Sequence, residues 1–205
     1  MANANRPMGL SPVQYLNGTP WNGGGRTYCI PSTDGTAYAV GDPVMLAGSA
    51  DAAGIPTVIL FAAGGGGANP VTACVGVIVG TQGSVYGGSF GVPQESPVVI
   101  PATKTRAYYV MVCDDPNVIF EVQEVGTGTQ LAATDVGLNC NLVAGTNNGY
   151  VSGWMLDNST EAVTSTLDVR LMQLAPRRDN AFGAYAKWWV TINAHQYKAG
   201  TTGLS

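Results

Sequence analysis

Charged residues are scarce in this sequence. Nine Lys and Arg with 13 Asp and Glu make up 11% of the 205 residues, against about 25% in an ordinary soluble domain. Hydrophobic residues stand at 45%, and the chain contains 28 glycines. Because mixed surface charge keeps free monomers apart, so little charge predicts that neutral surface is covered by other subunits. The alternative is a soluble β protein that is simply rich in small residues.

Clustered positive charge and long apolar runs are also missing. The formal net charge is −4, and the only adjacent basic residues are Arg177 and Arg178. This argues against a nucleic-acid partner, which requires concentrated Lys and Arg. Apolar runs such as 71–79 are far shorter than the ~20 residues of a spanning helix, so no membrane role is expected. Residues 1–8 lack the apolar region of a secretory signal, and the chain is expected to stay in the cytoplasm where it is made.

Catalytic and metal-binding patterns are largely absent as well. The four cysteines are too widely spaced for a CxxC metal site and are expected to be thiols in a cytoplasm. The glycine runs 23–25 and 64–67 lack the Lys-Ser/Thr of a phosphate loop. A β-fold hydrolase would have to use the single histidine, His195, but no GxSxG motif accompanies it. The sequence therefore predicts no enzymatic activity, no cofactor and no metal.

Short strands separated by turns account for most of the chain. Residues 106–113 and 118–124 flank Asp-Asp-Pro-Asn, a strong turn sequence that predicts a hairpin. Residues 163–171 and 185–193 alternate with the period of a half-buried antiparallel strand. Further strands are predicted at 26–30, 36–40, 44–46, 57–62 and 71–79. No window has a sustained helical period, so the pattern predicts an antiparallel β-barrel or sandwich.

The chain divides into three predicted segments. These are an extended arm (1–25), a glycine-rich β sub-domain (26–100) and a β-barrel or sandwich sub-domain (101–205). Proline and glycine keep the arm extended, and its apolar residues indicate docking on a neighbour or, equally, folding back on its own domain. The candidate contacts with other subunits are Arg6, Met8, Leu10, Tyr15, Trp21, Arg177, Arg178 and Trp189.

Two stretches of the second half resemble a known group of proteins. The first comprises Tyr-Val-Met-Val-Cys-Asp-Asp-Pro-Asn-Val-Ile-Phe-Glu-Val-Gln at 109–123 and Asp-Val-Gly-Leu-Asn at 135–139. The second is Leu-Met-Gln-Leu-Ala-Pro-Arg-Arg-Asp-Asn-Ala-Phe-Gly at 171–183, followed by Val-Thr-Ile-Asn-Ala-His at 190–195. Both resemble capsid decoration, or cement, proteins of tailed bacteriophages, over roughly residues 105–197.

This resemblance implies a structural role. Such proteins are mostly β, are often homotrimers, and clamp major capsid proteins from the outer capsid surface, often with an N-terminal arm. The expectation is thus an all-β fold, an antiparallel, β-tulip-like barrel or sandwich with an extended N-terminal arm, in a virion protein assembled in the host cytoplasm. The alternative is a tail- or fibre-associated β module that binds host-surface carbohydrate through Trp21, Trp154 and Trp189.

Overall fold

The computed structural model describes residues 3–63, 74–82 and 98–198. In these ranges the chain is almost entirely β, with one short 3-10 turn at Ala133–Asp135. The strands are β1 (Ser11–Tyr15), β2 (Arg26–Ile30), β3 (Tyr38–Ala39), β4 (Pro43–Ala50), β5 (Pro56–Leu60), β6 (Gly76–Gln82), β7 (Val99–Ile100), β8 (Tyr108–Cys113), β9 (Val118–Gln123), β10 (Asn139–Val143), β11 (Met155–Ala162), β12 (Val169–Leu174) and β13 (Lys187–Ile192). The predicted all-β barrel or sandwich is confirmed.

A closed five-stranded barrel forms the first structural unit. Its strand order is β2-β5-β4-β6-β8, and β8 closes it by pairing antiparallel with β2. β2 and β5 form a parallel pair, whereas the other pairs are antiparallel. Alternate residues point inward, as the period of a strand requires, and fill the barrel with buried side chains. These include Tyr28, Ile30, Val44, Val58, Ile78 and Val110.

A six-stranded antiparallel sheet, in the order β1-β9-β13-β12-β10-β11, forms the second unit. The sheet curls back on itself, because Glu124, the residue after β9, makes a parallel bridge to Leu156 in β11. Its inner face carries Phe120, Trp188 and Val190. These side chains share one core with outward-facing barrel residues such as Val77, so burial of apolar surface joins the two units.

The predicted hairpin of 106–113 with 118–124 is wrong. β8 pairs with β2 and β6 in the barrel, whereas β9 pairs with β1 and β13 in the sheet. The local turn is present, since Asp115 Oδ1 accepts the Asn117 N–H at 2.8 Å. A turn reverses the chain without determining which strands pair. The chain therefore crosses from barrel to sheet at 114–117, and the predicted boundary between 100 and 101 does not coincide with this change.

The predicted strand at 163–171 is wrong in its first half. β11 ends at Ala162, and β12 begins only at Val169. Val163, which was expected to face the core, is 87% exposed. Asp168 is instead buried, and its carboxylate accepts the Leu142 N–H at 2.8 Å. That hydrogen bond satisfies a buried backbone donor and fixes the connection between the two strands. Residues 64–67 and 71–73 lie outside the described residues.

The N-terminal segment, residues 3–25, is extended but lies on its own chain. β1 pairs with β9 as an edge strand. Asn3 donates hydrogen bonds to the carbonyls of Ala181 and Ala184, at 2.8 and 3.0 Å. Leu10 is 1% exposed and belongs to the shared core. Of the two alternatives, folding back is what the structure has, because this segment supplies a strand and a core residue; a free arm is not seen over these residues.

The four cysteines give a first testable prediction. All four are buried and free, and burial raises the pKa of Cys74, Cys113 and Cys140 to about 12. Because the thiolate is the reactive form, we expect no reaction of the native protein with Ellman's reagent, and four thiols per chain after unfolding in guanidinium. Fast titration of one or more thiols in the native protein contradicts this burial.

Candidate subunit-contact surface

The face of the six-stranded sheet that points away from the core is the candidate surface. Cross-strand partners share a face, and the register places Trp189 opposite both Glu121 and Gln173, and Arg170 opposite Thr191. Lys187 pairs with Gln123 on the same side. We call this surface the outer face and define it by Glu121, Arg170, Gln173, Lys187 and Trp189.

An ion pair lies on the outer face. Arg177 Nη1 lies 2.5 Å from Glu121 Oε1. The Glu121 side chain is 10% exposed, and that of Arg177 is 42% exposed. A mostly covered carboxylate needs such a partner, whereas the guanidinium keeps donors for further contacts. Trp189, directly opposite Glu121 in the register, is half-buried, and its indole nitrogen is enclosed.

The N-terminal segment reaches one end of the outer face. Gln123 Oε1 accepts the backbone N–H of Arg6 at 2.8 Å, and Gln123 Nε2 donates to Asn5 Oδ1 at 3.0 Å. The Arg6 side chain is exposed. The structure therefore brings together three predicted contact residues, Arg6, Arg177 and Trp189. Arg178 is also exposed and adjoins Arg177 in the chain.

The remaining predicted contact residues lie elsewhere. The expected contact at Leu10 is wrong for this conformation, because its side chain is enclosed in the core. Met8 is half-buried. Tyr15 and Trp21 pack against the core where residues 19–21 cover the open side of β1: the Tyr15 N–H donates to the Thr19 carbonyl at 2.8 Å, and the Trp21 N–H to the Val13 carbonyl at 3.1 Å. This cover protects the edge strand from pairing with another chain.

The tryptophans proposed as sugar platforms do not form a common surface. Trp154 is 2% exposed, and its ring packs against Phe61 with the centroids 6.0 Å apart. A buried ring cannot stack on a sugar, so its assignment to a platform is wrong. Trp21 lies beside β1 and Trp189 on β13, and both are half-buried.

His195, the candidate base of a hydrolase, is enclosed. It is 1% exposed, and its Nδ1 accepts the Tyr197 N–H at 3.1 Å. Burial lowers the pKa of His195 to about 4, and the nearby charge of Lys198 adds to this effect. The imidazole is therefore neutral at pH 7.

Asp114, expected in a hairpin turn, occupies a polar cluster beside the barrel. Its Oδ2 accepts hydrogen bonds from Arg26 Nε and from the Tyr28 hydroxyl, both at 2.5 Å. The Tyr28 and Tyr197 hydroxyls lie 3.1 Å apart. Burial, followed by the hydrogen bond to Asp114, raises the pKa of Tyr28. The cluster attaches the end of β8 to β2 and to residues near the C-terminal end of the described chain.

Glu124 is a buried carboxylate that the sequence pattern does not single out. It is 0% exposed, and its Oε2 accepts the Leu131 N–H at 3.1 Å. Burial raises the pKa of Glu124 to about 7, partly opposed by nearby donors that include the Leu131 N–H. The one feature of the sequence that could have drawn attention to Glu124 is its position directly after an alternating strand.

Within the described residues, no three His, Cys, Asp or Glu side chains are grouped as metal ligands. None of the described segments forms a helix with the length and apolar character needed to cross a membrane. Comparison of the chain with protein-family models, with curated proteins and with solved structures gives no match.

Proposed function

We propose that this chain is a non-enzymatic virion protein, a capsid decoration or cement subunit of a tailed bacteriophage. In this proposal it assembles in the host cytoplasm, binds between major capsid proteins on the outer surface of the head and stabilises the shell. It acts as a homotrimer, with the outer face turned toward its partners.

The concentration of positive charge on and beside the outer face is the observation that carries the proposal. Six of the nine basic residues lie there, although the chain as a whole has a net charge of −4. They are Arg6, Arg170, Arg177, Arg178, Lys187 and Lys198. Such a face complements a partner surface rich in carboxylates, and complementary charge directs both orientation and association rate. Trp189 adds an aromatic contact of the type enriched in interfaces.

The rest of the molecule is consistent with a building block. The N-terminal segment pairs with its own sheet, and the barrel and the sheet share one core. The resemblance to cement proteins includes residues of β9, β12 and β13. A rigid subunit loses little conformational freedom on binding, which favours a protein that must hold neighbouring shell subunits in place.

Charge reversal at Arg178 tests the binding face. Arg178→Glu changes an exposed side chain, so the fold is expected to survive while binding to heads lacking the protein weakens at least tenfold, about 1.4 kcal/mol. Arg106→Glu is the matched control, because Arg106 is exposed beside Tyr108 of the barrel. Co-sedimentation with purified heads measures the affinity of each variant. Equal loss in the two variants, or none in Arg178→Glu, removes the outer face from the proposal.

Deletion of the gene tests the role in the virion. Heads assembled without this chain are expected to release DNA at a lower temperature than wild-type heads, and immunogold particles should label the head of intact virions. Labelling of the tail instead favours the carbohydrate-binding fibre module. Unchanged head stability together with absence from virions contradicts the cement proposal.

Oligomeric state gives a separate prediction. Light scattering on the protein as it leaves a sizing column is expected to give three times the chain mass of 21.1 kDa, because the resemblance to cement proteins implies a homotrimer, which is one of the closed symmetric forms open to identical subunits. A monomer at all concentrations contradicts a preformed trimer, and association would then require the shell.

A further inference from the structure

A groove of about 420 Å³ opens on the six-stranded sheet beside the outer face. Its lining includes Arg170 of β12 and Thr191 of β13, which pair across the strands. Lys198 lines it from beyond β13, and Ser165 from the β11–β12 connection. Three separate parts of the chain thus contribute polar side chains to one concave site.

Two cations face this groove. Arg170 is exposed, and its Nε donates to Asn139 Oδ1 at 3.1 Å. That bond uses one of the five N–H donors of a guanidinium and anchors the side chain. Lys198 Nζ donates to the carbonyls of Ile192 and Asn193, at 2.9 and 3.2 Å. Both groups are therefore positioned by hydrogen bonds to their surroundings.

The positive charges influence one another. Burial lowers the pKa of Lys198, and the charge of Arg170 lowers it further. Within the described residues, no carboxylate lies within 4.0 Å of a nitrogen of Arg170. An anion between the two side chains relieves this repulsion and forms charge-assisted hydrogen bonds. The hydroxyls of Ser165 and Thr191 can donate further ones.

We propose that this groove is an oxyanion-binding site, in which Arg170 and Lys198 hold a carboxylate or phosphate group and the hydroxyls of Ser165 and Thr191 orient it. Met172 and Leu16 form an apolar wall, which suits an oxyanion carried on an organic group. The site is a property of the isolated chain and does not depend on the capsid role.

Titration with inorganic phosphate and with acetate, at constant ionic strength, tests the site. The Arg170 Nε–Hε signal in the ¹H–¹⁵N spectrum is expected to shift saturably, with a Kd of about 1–10 mM for so small a ligand. Arg170→Gln and Lys198→Gln are each expected to weaken binding at least tenfold, followed through the backbone amide of Thr191. Arg106→Gln removes an equal charge on the barrel and should leave the affinity unchanged.

The two ligands distinguish the source of the oxyanion. Tighter binding of phosphate supports a site for phosphate groups, and equal or tighter binding of acetate supports a site for partner carboxylates. Shifts that rise linearly without saturation, or an affinity unaffected by both Arg170→Gln and Lys198→Gln in folded protein, overturn the proposal.

Discussion

Replacing Glu124 by glutamine is expected to raise the free energy of unfolding by about 1–2 kcal/mol at pH 8, because it removes a carboxylate that is charged only at a cost. The native side chain is fully enclosed, and burial raises its pKa from 4.5 to about 7. Glutamine preserves the shape and the oxygen that accepts the Leu131 N–H. Its NH2 group cannot accept from the other donors beside the carboxylate, the Ala186 N–H and the Trp188 indole N–H, and this loss offsets part of the gain from removing the buried charge.

The direction of the pH dependence follows from proton release. Below pH 4.5, Glu124 is protonated in both the folded and the unfolded chain and contributes no difference. Between pH 4.5 and about 7 the unfolded chain releases its proton while the folded chain retains it, so stability falls as pH rises. Above pH 7 Glu124 is ionised in both the folded and the unfolded chain, and the free energy of unfolding falls no further on its account. Asp135, whose charge also raises the pKa of Glu124, acts in the same direction.

His195 opposes Glu124 over much of this range. Its folded pKa of about 4 lies below the ordinary 6.5, so the unfolded chain binds the extra proton and stability falls as pH decreases from 6.5 to about 4. The two effects cancel in part between pH 4.5 and 6.5. In Glu124→Gln only the effect of His195 remains. The free energy of unfolding of this variant is therefore expected to rise with pH between pH 4.5 and 6.5.

Urea unfolding from pH 4 to pH 8 measures both effects. Asp179→Asn is the matched control, because it removes the same charge from an exposed side chain and should alter the free energy of unfolding by less than about 0.5 kcal/mol. A curve for Glu124→Gln that runs parallel to that of the wild type over this range contradicts a buried, perturbed carboxylate.

Strands with strong local signals were predictable from the sequence. β2 has the predicted bounds, 26–30, and β9 and β13 lie within their predicted segments, because alternating aromatic and β-branched residues fit a half-buried sheet. β11 was missed because Asp157, Asn158 and Ser159 have low strand propensity; its pairing with β10 decides its structure. β1 was missed because Pro12 interrupts it, although proline is tolerated on an edge strand.

Contacts between residues that are far apart in the sequence were not predictable from the local sequence pattern. The positions of Trp189 and Arg177 outside the core were predictable, because Trp189 falls on the outward side of an alternating strand and Arg177 belongs to a concentration of charge. The groove of Arg170 and Lys198 was not, since the two are neighbours only through sheet pairing and the path of the chain after β13. Glu124 carries no local sign of enclosure, because its burial comes from segments that contact it after folding.

Replacing Gly41 by alanine is expected to lower the free energy of unfolding by about 3–5 kcal/mol, through an unfavourable backbone conformation and a steric clash. Gly41 has φ +97°, and an added Cβ would lie far inside contact distance of the Met8 carbonyl oxygen. The Gly41 carbonyl accepts the Leu10 N–H at 3.0 Å. Next to Gly41, the Val40 carbonyl accepts the Ser152 N–H at 2.9 Å. The N-terminal segment, the barrel and the sheet unit meet here.

Gly54→Ala separates the clash from the conformational cost. Gly54 has φ +81° with no atom near an added Cβ, so alanine there should cost only about 1–2 kcal/mol. Hydrogen exchange at the Leu10 amide provides the local measure, because a displaced N-terminal segment loses the hydrogen bond to Gly41 and exchanges faster than in Gly54→Ala. Equal destabilisation by the two variants, with Leu10 still protected in both, contradicts the close packing of the N-terminal segment on the barrel. If instead only Gly41→Ala releases Leu10, this segment is part of the folded core and cannot be removed as a dispensable arm.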